Sequence, residues 1–276
     1  MLIKNGENDP EILGISYNSA NDELFLADCM NKVVRAMPLR NNAGDLREVY
    51  TAPHDMSPDL SSVCHVSDSD TLLVCSSESV LDQKSVNWLA ALSRNGSLWR
   101  ETHRVQTEGK CWNIMICCAL SDSRVLIGMW DSTYMELFRL ESGPRIARLH
   151  CIYVPEKYNW FSATCSSDTL VAMSYEDQSV HVHRLVGDKL EELTSTLMNN
   201  PYKLLWLADR LIVPELEEHN ESHTVSMLQM SGTGLERLRK LISTSENILG
   251  ESWCVVNDGF AIFDLNSKDI LLYSFA

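Results

Sequence analysis

The residues most able to do chemistry are three carboxylates and a pair of histidines. Asp28, Glu215 and Asp264 each close an apolar run: LFLAD, LIVPE and FAIFD. Carboxylates gathered on one rim would suit a hard cation such as calcium, which takes six or more oxygen ligands. The same residues have a plainer reading. An aspartate at the end of a strand ties the following corner to its own backbone, and Glu215 opens the acidic run PELEEHNESH, which reads as a solvated loop. His181 and His183 alternate with Val180 and Val182 in SVHVHRL. A His-x-His step can chelate a metal, but beside Arg184 the expected role is a solvated strand face. His219 and His223 have helical i, i+4 spacing without the glutamate of an HExxH site. The chain holds no GxSxG and no glycine-rich phosphate loop, so no catalytic residue is assigned.

The elements that must position these groups come from a repeat. Six segments share an apolar run, an acidic turn residue beside Ser, Asn or Ala, a second apolar run, a polar corner and a third, alternating run. The turn residues are Asp22, Asp70, Asp122, Asp168, Asp209 and Asp258, with gaps of 48, 52, 46, 41 and 49 residues. A unit of 40 to 50 residues holding several short strands is one propeller blade. Weaker fourth runs follow in LREVYTA, LWRETHRVQ, ARLHCIYVP, LEELTSTLM and LERLRKLIST. The last two contain strong helix formers, yet their place in the period predicts outer strands.

The expected fold is therefore all-β: one domain over residues 1–276, a six-bladed β-propeller with four-stranded antiparallel blades. The blades fall near 8–53, 60–108, 111–156, 159–198, 201–244 and 247–276 plus 1–7. The sixth unit lacks a fourth run before Ala276, while MLIKN precedes the first blade without a partner. Pairing of the N-terminal segment with the last blade would close the ring and cover its open edges.

The first unit, LFLADCMNKVVRAMPL, resembles the NHL-type repeat at Leu26, Ala27, Asp28, Asn31, Val33 and Arg35. The whole chain is similar in plan to NHL-like and TolB-like six-bladed propellers, and VHVHRL and MELFRL resemble WD-type third strands more loosely. Such a likeness implies either a binding ring or, as in the six-bladed lactonases and gluconolactonases this arrangement resembles, a metal-dependent hydrolase. NHL-type rings often accompany other domains, so the chain could be one part of a larger protein.

Composition narrows the partners. With 38 acidic against 23 basic residues the net charge is -15, which disfavours nucleic acid and anionic membrane surfaces. Nine cysteines without a CxxC pair, and no signal peptide, predict a reducing, cytoplasmic setting. The reading is a monomeric, non-catalytic scaffold that binds a protein or peptide on a channel rim and its inter-strand loops. Trp130 and Asp131, Tyr158 and Trp160 are the expected contact residues because they abut polar corners. Three long connections, 51–62, 76–88 and 215–223, are further rim candidates. No cofactor is expected. The alternative is a calcium-dependent lactonase or esterase using Asp28, Glu215 and Asp264.

Overall fold

The first residue of each unit's marker turn explains the architecture. In this computed structural model a left-handed backbone recurs at every turn between a blade's first two strands, at Asp22, Asp70, Ser123, Thr169, Ala208 and Asn257. Short polar side chains tolerate that conformation best, which is why acidic, Asn and Ser residues recur there. The structure describes residues 10–39, 46–53, 59–80, 84–107, 114–120, 123–129, 133–141, 145–154, 160–166, 169–175, 177–201, 203–217, 222–231, 234–244, 252–257, 259–264 and 269–274.

Blade 1 comprises β1 (Ile12–Asn18), β2 (Glu23–Asp28), β3 (Val33–Pro38) and β4 (Arg47–Thr51). Blade 2 has β5 (Asp59–Val66), β6 (Thr71–Val80), β7 (Lys84–Asn95) and β8 (Leu98–Gln106). Blade 3 has β9 (Ile114–Ala119), β10 (Arg124–Met129), β11 (Tyr134–Leu140) and β12 (Ile146–Tyr153). Blade 4 has β13 (Trp160–Cys165), β14 (Leu170–Tyr175), β15 (Ser179–Val186) and β16 (Lys189–Leu197). Blade 5 has β17 (Leu205–Leu207), β18 (Arg210–Glu217), β19 (Ser222–Ser231) and β20 (Gly234–Thr244). Blade 6 contributes β21 (Ser252–Val256), β22 (Gly259–Asp264) and β23 (Asp269–Ser274).

Each blade is an antiparallel meander in chain order. The helix-like sequences LEELTSTL and LERLRKLIST are strands, as their place in the period requires. The first strands pack in a ring, β1 on β5, then β9, β13, β17 and β21, and β21 returns to β1. The axis is crowded. A methyl group on Gly14 of β1 would lie 2.7 Å from Ser62 Cα of β5, so only glycine fits there. The closing contact is also polar: Ser252 donates to the carbonyl of Ile12, and the Tyr17 hydroxyl meets Asn257. The expected pairing of residues 1–7 with blade 6 lies outside the described residues.

The core is not one mass but six seams between neighbouring blades. Phe25, Val34 and Val49 meet Leu60, Leu72 and Trp99 between blades 1 and 2. Equivalent apolar clusters fill the other five seams, including Leu24, Leu26 and Met37 against Phe263 between blades 1 and 6. Full burial of each Leu or Phe contributes about 1.5–3 kcal/mol, so the ring is held by many moderate seams. Among the described residues no helix is long and apolar enough to cross a membrane.

Antiparallel strands alternate in direction, so the corners between second and third strands open on the same rim as the links between blades. We call this the upper rim. A β-bulge at the start of the first strand recurs in blades 1 to 4, and another between third and fourth strands recurs in blades 1 to 5. Such bulges add local twist, which a blade needs if it is to fan outward from the axis.

Candidate functional site

Strand pairing defines which residues are equivalent at the upper end of each second strand. Asp28 lies opposite Ile12, Ser76 opposite Leu60, Met129 opposite Ile114, and Tyr175 opposite Trp160. Glu215 bridges Pro201, and Asp264 ends β22 one residue past the Phe263–Ser252 pair. In blade 4 the position therefore belongs to Tyr175 and not to Ser174, which follows the marker Asp168 by six residues as Asp28 follows Asp22. The left-handed turn residue of this blade is Thr169, one place after the marker Asp168, and it stands six residues before Tyr175 as Asp22 stands six before Asp28.

Asp28 is fully buried at this position. Its carboxylate accepts from the backbone N–H of Asn31 at 3.2 Å, from the Asn31 side chain at 2.9 Å and from Arg35 Nε at 3.1 Å. It thus ties the β2–β3 corner, as the plainer reading expects, and also forms a buried ion pair. Arg35 lies opposite Leu26 on β3 and reaches Glu48 on β4 as well. Glu215 repeats the arrangement with different letters. It accepts from Ser226 on β19 and from Arg237 on β20 at 3.0 and 2.8 Å. The backbone N–H of Asn199, beyond β16, donates to it at 3.1 Å and so ties blade 4 to blade 5. The solvated-loop reading of Glu215 gives way to a carboxylate 2% exposed. Asp264, partly exposed, faces Asp269 across the β22–β23 hairpin.

Asp28 shares the side of β2 that packs on blade 6, and Glu215 shares the side of β18 that packs on blade 4. The two carboxylates thus serve different seams. Among the described residues no three His, Cys, Asp or Glu side chains gather as a metal site. Blade 3 fills the matching third-strand position with Glu136, buried and paired with Arg148 at 3.3 Å.

Blade 4 fills it with histidine. His181 lies opposite Met173, and His183 opposite Val171. Here the expectation of a solvated face is corrected: His181 and His183 are 7% and 1% exposed, and only Arg184 reaches water. The reason is positional. A third strand is covered by blades on both sides, so Val180 and Val182 enter the blade 5 seam while the histidines enter the blade 3 seam. The imidazoles stack at 6.0 Å, and Tyr175 meets His181 edge-on at 4.7 Å. Burial, and secondarily the neighbouring His181, lowers the pKa of His183 to about 4.

On the lower rim a second polar network joins blades 1 and 2. Glu23 receives Arg47 and Arg94, and Arg94 reaches Asp70, which pairs with His65 at 3.0 Å. Burial lowers the pKa of His65 despite Asp70.

Of the expected contact residues, Trp130, Asp131 and Tyr158 lie outside the described residues. Trp160 is placed by its backbone alone, as the first residue of β13. The described upper rim has other features. β6 and β7 pair from Thr71–Ser93 out to Val80–Lys84, four pairs beyond Ser76–Trp88. At about 3.3 Å per residue, this hairpin rises about 13 Å past the ends of the six-residue strands β2, β10 and β14. The β18–β19 hairpin continues two pairs beyond Glu215–Thr224. Two apolar side chains that sequence reasoning missed, Tyr153 and Leu197, are 75% and 79% exposed. They end the outer strands of adjacent blades 3 and 4 on this rim. Alternation in IARLHCIY and LEELTSTL was the available signal. Near the blade 1 corner, burial and the charges of Asp59, Glu11 and Asp28 push the Cys29 thiol up to about 12.

No protein-family model and no curated protein matches the sequence. Many solved structures match the fold. A functionally unknown protein from Desulfotomaculum acetoxidans superposes with a TM-score of 0.68 at 8% identity, over 95% of this chain and 82% of that one. A Bacteroides uniformis protein provisionally described as a 6-phosphogluconolactonase gives 0.65 at 10% identity, over 99% and 83%. A chain of the mitotic checkpoint complex gives 0.62 at 8% identity, over 96% and 89%. At these identities the likeness is one of fold.

Proposed function

We propose that this ring is a non-catalytic binding module that holds a protein or peptide segment on its upper rim. The observation that carries the reading is the pair of extended hairpins, β6–β7 and β18–β19, in blades that stand opposite each other in the ring. Strand pairing stiffens both projections, and insertions of this kind go to the surfaces where partners dock. Exposed Tyr153 and Leu197 supply apolar contact area on the same rim, and Trp130, Asp131, Tyr158 and Trp160 belong to this proposal as further contacts. The first blade's NHL-like residues and the nine cysteines without a CxxC spacing suit a cytoplasmic partner-binding ring. A chain of the mitotic checkpoint complex offers a parallel in fold for life within an assembly.

The alternative hydrolase would need Asp28, Glu215 and Asp264 to turn to a shared calcium ion. Asp28 and Glu215 already receive several donors each from the chain itself, and this weighs for the binding module. The test is to replace residues 79–85 by a two-residue Asn-Gly turn, which closes such hairpins well, and to compare affinity capture with intact protein. The expected result is loss of a captured partner that survives a control change at the lower-rim turn Asn95–Gly96. Retention of every partner by the trimmed ring would overturn the assignment of this rim.

A further inference from the structure

The histidine pair of blade 4 is not used by the proposed binding rim, and its surroundings are unusual for two titratable rings. His183 Nε2 lies 3.2 Å from the Tyr175 hydroxyl, which also reaches Met173 Sδ at 3.4 Å. His183 Nδ1 is buried and has no hydrogen-bond partner among the described residues. A neutral imidazole can use Nε2 with Tyr175 and leave Nδ1 as a bare acceptor. A charged imidazole must donate from both nitrogens, and Nδ1–H has no acceptor among the described residues.

His181 differs. Its Nδ1 faces Glu192 at 3.3 Å and its Nε2 meets Ser179 at 2.8 Å, while Ser179 in turn donates to Asp177. Apart from Glu192, the remaining described neighbours offer His183 nothing charged. β14 presents Val171, Met173 and Tyr175; blade 3 presents Met135, Leu137, Ile152 and Val154. By register His150, opposite Leu137 on β12, shares that side but is exposed. Glu192, half-exposed on β16, lies opposite His183 in the strand pairing and its charge works against the lowered pKa of that ring, but its carboxylate faces His181 Nδ1.

We propose that blade 4 carries an acid-sensitive joint: the stacked, buried His181–His183 pair keeps the seam between blades 3 and 4 closed while His183 is neutral, and that seam loosens when His183 takes up a proton. The direction follows from linkage. Because burial depresses the His183 pKa from 6.5 to about 4, the unfolded chain binds more protons between those values. The stabilisation is therefore complete above pH 6.5 and is lost as pH falls toward 4, weakening the folding equilibrium by about 100-fold.

Hydrogen exchange followed from pH 7 to pH 4.5, corrected for intrinsic rates, tests this on the full chain. Peptides covering Tyr134–Leu140, Leu170–Tyr175 and Ser179–Val186 should lose protection while Gly259–Asp264 keeps it. His183→Gln should abolish the selective loss and flatten the pH dependence of unfolding. Equal acid response in the variant, or simultaneous exposure of every blade, would overturn the proposal. If that variant folds poorly, imidazole NMR on the unaltered protein decides. A His183 ring that stays neutral to below pH 5 and titrates as the seam opens supports the joint. One that titrates near pH 6.5 with the seam still protected sinks it.

Discussion

Asp28 shows how one residue can carry several physical duties. Its carboxylate is fully buried, caps the Asn31 corner and pairs with Arg35. Removing the cation alone should therefore cost far more than removing the pair. Arg35→Met is expected to destabilise the ring by about 3–5 kcal/mol, since it leaves an uncompensated buried charge. Adding Asp28→Leu should recover a large part of that loss, and urea unfolding of the two variants measures the difference. No recovery would mean that the corner bonds to Asn31, and not the ion pair, dominate. The thiols give a simpler check. Cys29, with its pKa raised to about 12, and the buried Cys254, whose pKa burial also raises, should react with iodoacetamide at pH 8 far more slowly than a free thiol.

Among the residues, the turn role of Asp28 was legible because a strand-ending aspartate before Asn31 is a local signal. The ion pair was less so, since it joins β2 to β3 and depends on packing. His181 and His183 show the limit more sharply. Their alternation with valine was read correctly as a strand, but alternation cannot say whether the second face meets water or another blade. Likewise the one-residue slip at Ser174 comes from the turn, where Thr169 and not the marker Asp168 precedes the strand in the left-handed conformation, and SSDT does not say which of its residues takes that place.

At the level of elements, the blade is a meander whose special features are its corners. Left-handed turn residues recur at the first corner of all six blades, at the acidic marker itself in blades 1 and 2 and one residue from it in the others, so the markers keep the period that can be counted from sequence. The second corners vary in length instead, from the tight Met30–Lys32 turn to the extended β6–β7 hairpin. Because that hairpin projects past the blade, replacing residues 79–85 by a tight turn should change stability by less than about 1 kcal/mol. The inner strands should be intolerant by contrast. Gly14→Ala places a methyl group 2.7 Å from Ser62 Cα and 2.8 Å from Val63 N, which are backbone atoms that cannot turn aside. A marked fall in melting temperature is expected, and an unchanged one would mean that β1 and β5 can separate freely. Deleting residues 1–7 is expected to lower the melting temperature as well, if that segment completes blade 6.

For the whole molecule, six apolar seams make a closed ring in which no blade has a separate core. Polar groups are set into the seams in blade-specific forms: Asp28–Arg35, Glu136–Arg148, Tyr175 with His181, and Glu215 with Ser226 and Arg237. These pairs join a blade's inner strands to its outer ones, a structural duty for the carboxylates that could otherwise have served a metal. The proposed binding module requires that its buried acids anchor seams and hold no calcium. Thermal melting with added calcium and with EDTA, run beside a lactone-hydrolysis assay, tests it most directly. The expected result is the same melting temperature in both conditions and no hydrolysis above background. A calcium-dependent rise of several degrees, with hydrolysis that disappears in Asp264→Ala, would contradict it.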